Sequence, residues 1–131
     1  MSRENVEFVR RAVEAWNAGA MDRLSEFYAP DAIVRGLDGW PEPGPYFGWE
    51  EIRRSFERIR EPWKTDSIEI VGAIRDAGDR VVTRWRWRVE GQGPPSEMEF
   101  TVVLTIRAGK IHYHEYFWNH VEALEALGLR E

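Results

Sequence analysis

The sequence predicts an α+β fold in which helices cover one face of an antiparallel sheet. Apolar residues recur at helical spacing in three stretches that precede Pro62. From Pro62 onward, apolar and polar residues alternate with the period of two that is typical of strands. Short turn sequences separate these later stretches, and strands that are joined by short turns pair in the antiparallel direction.

Three helices are predicted before the main strands. The apolar residues that define them are Val6, Val9, Val13 and Trp16 in the first, Met21, Leu24 and Phe27 in the second, and Trp49, Ile52, Phe56 and Ile59 in the third. The first helix ends at residues 17–19, the second near Pro30 and the third at Pro62, because glycine and proline end helices. A brief strand, 31–36, and a loop rich in glycine and proline, 36–48, precede the third helix.

Four strands are predicted after Pro62, and they span 67–74, 80–91, 97–106 and 111–118. The second of them has two unlike faces, with Trp85, Trp87 and Val89 on one and Arg84, Arg86 and Arg88 on the other. We expect the arginine row to be solvated or paired with carboxylates such as Glu69, although it could bind an anion. Asn119 can cap a short C-terminal helix that ends at Gly128.

The composition is that of a single globular domain, 1–131, with 43% apolar and 31% charged residues. A net charge of -5 with scattered basic residues lacks the positive surface of a nucleic-acid-binding protein. The absence of cysteine excludes disulfides, thiolate metal ligands and a cysteine nucleophile. The N-terminus lacks a signal-peptide pattern and no apolar run has membrane-spanning length, so we expect a cytoplasmic protein without membrane contact.

All three histidines lie in the C-terminal segment, 109–129. His112 and His114 are two residues apart and would point the same way from a strand. They could bind a metal with Glu99 as a third ligand, but we predict no metal and no cofactor. His114 could instead be a general base, with the Tyr116 hydroxyl stabilising an enolate oxygen, or a structural histidine bonded to a neighbour.

Two carboxylates and the tryptophans are further candidates. Glu99 or Asp38 could act as an acid or base if an aromatic pocket raised its pKa, or they could be a polar strand end and a loop residue. Seven tryptophans are many for this length, and they could either line a flat apolar cavity or fill it.

Several stretches resemble the ketosteroid-isomerase-like superfamily, which includes nuclear transport factor two, the SnoaL-like polyketide cyclases and limonene epoxide hydrolase. They are VRRAVEAWNAGAMDRLSEFYAPDA (9–32), YFGWEEIRRSF (46–56), AGDRVV (77–82) and GKIHYHEYFWNHVEALEALGL (109–129). The last is most similar to SnoaL-like proteins. The resemblance implies a curved antiparallel sheet that three N-terminal helices wrap into a cystatin-like cone around a pocket, with a short C-terminal helix.

The resemblance also implies which side chains face the pocket. The candidate catalytic residues are His114, Tyr116, Glu99 and Asp38, and the candidate ligand-binding residues are Trp16, Phe56, Ile59, Trp85, Trp87, Thr101 and Trp118. Thr101 takes the family's acidic position on the next-to-last strand, so Glu99 and Val103 would share its inward face. His112 is assigned to the inward face of the last strand.

The mechanisms of two relatives are not expected here. Ketosteroid isomerase uses an aspartate base, a tyrosine and a protonated aspartic acid, and these positions match Gly36, Ala12 and Thr101. The arginine between two aspartates of limonene epoxide hydrolase has no equivalent on a strand of this sequence.

The predicted function is to bind a small apolar or aromatic molecule and to perform acid–base chemistry next to a carbonyl, as a cyclase, isomerase or lyase. The alternative is a non-catalytic ligand-binding or dimerisation module of the same fold. Residues 100–106 are apolar on both faces of their strand. The outer face, together with Ile111, Tyr113 and Phe117, would expose an apolar patch to water, which predicts a homodimer through this face.

Overall fold

The computed structural model describes residues 2–40 and 43–129, so residues 41 and 42 of the predicted loop lie outside the described part. Within that part, the chain forms four α-helices, one 3₁₀ turn and six strands. The helices are α1 (Ser2–Asn17), α2 (Met21–Leu24), α3 (Trp49–Arg60) and α4 (His120–Ala126), and the 3₁₀ turn is Ser25–Phe27. The strands are β1 (Tyr28–Arg35), β2 (Tyr46–Phe47), β3 (Thr65–Ala77), β4 (Arg80–Glu90), β5 (Ser96–Arg107) and β6 (Lys110–Phe117).

The three predicted N-terminal helices are present, and each buries the apolar side that its sequence indicates. In α1, Val9 and Val13 are buried. The chain leaves this helix at Gly19, whose φ of 69° lies in the left-handed region that favours glycine. In α3, Ile52 and Phe56 are buried. The acidic side chains of its first turn and the basic side chains of its last turn interact favourably with the helix dipole.

The strands form one sheet in the order β2-β1-β6-β5-β4-β3. Strands β3 to β6 pair antiparallel, as predicted, but β1 lies parallel to β6, so the sheet is mixed. The prediction of a wholly antiparallel sheet was wrong here because β1 and β6 are far apart in the chain, and no hairpin sets their direction. The two-residue β2 lies inside the predicted loop and is too short to show an alternating pattern.

Two irregularities in the antiparallel part of the sheet accompany its curvature. The register of β3 against β4 shifts between Val71 and Arg75, at Gly72 with its φ of 73°. The register of β5 against β6 shifts between Thr105 and Ile106. Such bulges bend a strand and increase its twist. Helices α1 and α3 pack on the concave side, and the predicted α+β fold is confirmed.

The two faces of the sheet carry separate cores. On the concave face, Trp85 lies opposite Phe100, and both are buried under the N-terminal helices. On the outer face, Val82 and Val103 are covered by Leu124 of α4. The outer face was predicted to be an apolar patch that includes Ile111 and that a partner chain covers. In the structure α4 covers part of this face, and the assignment of Ile111 to it was wrong because Ile111 is buried in the concave core.

The arginine row of β4 lies on the outer face and is paired with glutamates of both neighbouring strands. Arg86 lies 3.1 Å from Glu69 and 2.8 Å from Glu99, and Arg88 lies 3.0 Å from Glu97. The prediction that these arginines pair with carboxylates, Glu69 among them, is confirmed. No helix in the described residues is long and apolar enough to cross a membrane.

Candidate functional site

A cavity lies between the concave face of the sheet and helices α1 and α3. Its volume is about 70 Å³ when measured as the space that the centres of water molecules can occupy, which exceeds what a single water needs. Aromatic side chains form much of the wall, and those described are Trp16, Tyr28, Trp40, Tyr46, Phe56, Trp85, Trp87, Phe100 and Tyr116. Among the described lining residues there is no aspartate, glutamate, lysine or arginine.

His114 is the principal polar group of this wall. It lies in the middle of β6, opposite Leu104 of β5 and Val34 of β1, and it is 1% exposed. Its Nδ1 atom lies 2.9 Å from the hydroxyl of Tyr28. Its Nε2 atom is the one buried side-chain nitrogen or oxygen of the described residues that lacks a hydrogen-bond partner. A buried polar atom without a partner is rare and is a candidate ligand contact.

The titratable groups around His114 are uncharged. Burial lowers the pKa of His114 to about 3, and burial raises the pKa of both Tyr28 and Tyr116 above the ordinary value of tyrosine. A neutral imidazole therefore faces two neutral phenols at pH 7.

Tyr116 lies beside His114 on the same face of β6. The two rings are 4.5 Å apart between centroids, and the ring of Tyr116 stacks on Phe100 at 5.2 Å. Its hydroxyl makes no hydrogen bond to a residue within the described ranges. Tyr116 can therefore offer its hydroxyl to a ligand bound near the imidazole.

Asp66 orients two of the cavity tryptophans. Its Oδ2 atom accepts hydrogen bonds from the indole N–H groups of Trp16, at 2.7 Å, and Trp87, at 2.9 Å. Its Oδ1 atom accepts from Arg60 Nε at 2.9 Å, and the guanidinium of Arg60 lies 4.3 Å from the ring centroid of Trp16. Because these indole N–H groups are bonded to Asp66, the two rings present apolar surface to the cavity.

Neither Asp66 nor Tyr28 was among the site residues predicted from the sequence. The predicted strand began at residue 67, one residue too late to include Asp66, whose alternation with Ile68 places a carboxylate on the apolar face. This alternation with Ile68 could have identified Asp66 from the sequence. The second helix was predicted to end near Pro30 and so to include Tyr28, whereas Tyr28 begins β1. Only the parallel pairing of β1 with β6 brings Tyr28 to His114.

The structure brings many of the predicted site residues together. The cavity is lined by His114, Tyr116, Trp16, Phe56, Ile59, Trp85 and Trp87. The sequence pattern located them because strand alternation and helical spacing define one face each.

The prediction that Glu99, Thr101 and Val103 face the cavity was wrong. On β5, Phe100 and Leu104 line the cavity, so Glu99, Thr101 and Val103, which alternate with them, point to the outer face. There, Glu99 pairs with Arg86, and the Thr101 hydroxyl lies 3.1 Å from Nδ1 of His120. The assignment of faces along β5 was therefore out by one residue, and a shift of one residue reverses the face of every side chain on a strand.

Asp38 and Trp118 also lie outside the cavity wall. Asp38 is exposed in a turn, and its backbone carbonyl accepts a hydrogen bond from the Trp118 indole at 3.0 Å. Trp118 is 49% exposed. It was predicted to face inward because the strand was extended to residue 118, whereas β6 ends at Phe117, so strand alternation does not reach it.

His112 does not line the cavity, contrary to the prediction from alternation. The register shift between Thr105 and Ile106 interrupts alternation at this end of β6, so Ile111 faces inward instead. In the described ranges, no three side chains of histidine, cysteine, aspartate or glutamate come close enough together to hold a metal ion.

Comparisons of folded structures define the class of protein. A protein from Catenulispora acidiphila with a ketosteroid-isomerase-like fold, solved with trimethylamine, is 19% identical, with a TM-score of 0.74 over 95% of this chain and 94% of that one. TerC, co-crystallised with polyporic acid, is 18% identical, with a TM-score of 0.77 over 95% and 98%. A candidate polyketide cyclase from Sinorhizobium meliloti is 24% identical, with a TM-score of 0.70 over 88% and 98%. These similarities establish the ketosteroid-isomerase-like fold.

The sequence comparison then gives the family. The family model of the SnoaL-like domain matches residues 9–114, and the chain belongs to this family. A search of curated proteins found no match.

Proposed function

We propose that this chain binds a small, neutral and largely apolar carbonyl compound in its cavity and promotes proton transfer at the carbon next to the carbonyl. The reaction would be a cyclisation, isomerisation or lyase step that needs no cofactor. The observation that carries this proposal is the unpartnered Nε2 atom of His114 in the wall of an otherwise apolar cavity. TerC, with polyporic acid, and the candidate cyclase make an aromatic or polyketide-like compound a reasonable choice of ligand.

The polarity of the cavity supports a neutral ligand. A buried polar atom without a partner costs about 1–3 kcal/mol, and a ligand oxygen or hydroxyl at Nε2 would remove this cost. The described lining offers no charged side chain to a carboxylate or an ammonium group, so a charged ligand would lose its hydration without compensation. The aromatic walls supply apolar contact for the rest of the molecule.

The arrangement also supports stabilisation of an enolate. His114 and Tyr116 lie side by side on β6, and a carbonyl oxygen between them could be contacted by both groups. Hydrogen bonds that strengthen as negative charge develops on this oxygen lower the barrier to loss of the neighbouring proton.

A non-catalytic binding module is the second candidate function. It is favoured by the lack of a carboxylate in the described lining and by the lowered pKa of His114, which makes its imidazole a weak base. In this case the same contacts would hold the ligand without turnover.

Hydrogen exchange of a simple ketone tests the proposal. In D₂O, the parent protein is expected to accelerate loss of the acetophenone methyl proton signal, measured by NMR, and His114→Gln is expected to reduce this acceleration by about 100-fold or more. His112→Gln is the matched control, because His112 lies outside the cavity wall, and its exchange should equal that of the parent. Binding without accelerated exchange would support the binding module, and lack of binding by acetophenone and by polycyclic ketones would contradict both functions.

A further inference from the structure

The hydrogen bond between Tyr28 and His114 can form in two directions, and the direction decides what the cavity can bind. If the Tyr28 hydroxyl donates to Nδ1, the neutral imidazole carries its proton on Nε2. If Nδ1–H donates to the Tyr28 oxygen, Nε2 carries a lone pair. The heavy-atom distance of 2.9 Å fits both directions.

Counting hydrogen-bond donors separates the two directions. In the first, every polar group of the pair has a partner except Nε2–H. In the second, the Tyr28 O–H has no acceptor among the residues that the structure describes, and the Nε2 lone pair is unpartnered as well. The first arrangement leaves one unpartnered group and the second leaves two. Since each such group costs free energy when buried, the first is favoured.

We propose that Tyr28 is a positioning residue that donates its hydroxyl proton to Nδ1 of His114, holds the imidazole as the Nε2–H tautomer, and thereby selects ligands that carry an acceptor oxygen. This inference rests on the proposed function in taking the cavity as the ligand site. Ketones, aldehydes and quinones have such an oxygen.

The surroundings of His114 support a fixed neutral tautomer. Tyr28 comes from β1 and Tyr116 from β6, and both remain protonated because burial raises the pKa of each hydroxyl. The other aromatic side chains packed against the imidazole ring are Phe56 of α3 and Trp85 of β4. No charged side chain in the described lining faces the ring, so none would draw a proton onto it or from it.

The tautomer sets the role of His114 in any reaction at a carbonyl. An Nε2–H group donates a hydrogen bond to the carbonyl oxygen and polarises it, as a neutral histidine can do in an enzyme. His114 is then an electrophilic group that stabilises negative charge on the carbonyl oxygen, and it is not the base that takes the proton from carbon. This role differs from that of the base that the sequence alone suggested.

The tautomer can be measured in the parent protein without any ligand. The protein has three histidines, so the side-chain ¹⁵N spectrum of histidine-labelled protein is simple, and His112→Gln and His120→Gln leave the His114 signals to be identified. We expect a protonated Nε2 and an unprotonated Nδ1 at pH 7. In Tyr28→Phe the Nδ1 resonance should move, while in the control Tyr113→Phe, on the opposite face of β6, it should not. A protonated Nδ1 in the parent overturns the proposal, even if Tyr28→Phe fails to fold.

Two probes of nearly equal shape test ligand selection. Acetophenone has a carbonyl where α-methylstyrene has a methylene group, and only the former accepts a hydrogen bond. We expect the ratio of their affinities in the parent to fall by up to about 10-fold in Tyr28→Phe and to stay unchanged in Tyr113→Phe. An unchanged ratio in folded Tyr28→Phe overturns the positioning role. If neither probe binds while Nε2 is protonated, the proposed function fails and the tautomer assignment stands.

Discussion

At the level of single residues, burial of His114 links folding to pH. The unfolded histidine binds a proton near its ordinary pKa of about 6.5, whereas burial lowers the pKa in the folded protein to about 3. Between these values the unfolded state holds more protons, so the contribution of His114 to stability is complete above pH 6.5 and is lost progressively as the pH falls toward 3.

We therefore expect the parent to lose stability relative to His114→Gln as the pH is lowered from 7.5 to 5. The slope of this difference approaches about 1.4 kcal/mol per pH unit at most. The measurement is urea denaturation of both proteins across this range. The contributions of carboxylates, which titrate in both proteins, cancel when the two free energies of unfolding are subtracted. Parallel stability curves would show that His114 is protonated equally in the folded and unfolded states.

A second residue-scale prediction concerns Asp66. Asp66→Asn removes the charge that Arg60 pairs with and leaves one acceptor oxygen for the two indole N–H groups, so the free energy of unfolding should fall by roughly 1–3 kcal/mol. The tryptophan fluorescence should also change, because the Trp16 indole loses its hydrogen bond to a carboxylate. Asp79→Asn is the control, because the ion pair of Asp79 with Arg107 is largely exposed and its loss should lower the free energy of unfolding by at most about 1 kcal/mol. Equal losses in the two variants would contradict the role of Asp66.

At the level of elements, α4 stabilises the sheet from the side opposite the cavity. Asn119 caps its first turn through Oδ1, which accepts the backbone N–H groups of Val121 and Glu122 at 2.8 and 3.2 Å. Leu124 is 1% exposed and packs in the outer core. A seven-residue helix has little stability alone, so its packing against the sheet holds it in place.

Leu124→Ala should lower the free energy of unfolding by about 2–4 kcal/mol, because it leaves a gap over the sheet. The exposed Glu125→Ala is the matched control on the same helix and should change it by less than about 0.5 kcal/mol. Urea denaturation gives both values. Acetophenone binding should be the same in folded Leu124→Ala as in the parent, and a loss of binding there would show that the outer core shapes the cavity.

At the level of the whole molecule, we still expect two chains to associate through the outer sheet face. Helix α4 covers Val82 and Val103, but Phe117 of β6 remains half-buried and Val121 of α4 is 41% exposed. Apolar side chains grouped in this way favour a two-fold partner. Sedimentation at micromolar concentration should show a dimer that Phe117→Lys weakens, and a monomeric parent would contradict the prediction.

The sequence by itself determined the helices, the four long strands and part of the cavity wall, because periodicity assigns side chains such as Trp85 and Phe56 to one face. It did not determine the face of β5, since a displacement of one residue exchanges Phe100 for Thr101. Only the tertiary structure decided that α4 covers the outer face, that a bulge turns His112 away, and that parallel pairing of β1 with β6 brings Tyr28 to His114. These contacts join segments that are far apart in the chain, and periodicity within a segment does not indicate which distant residues it will contact.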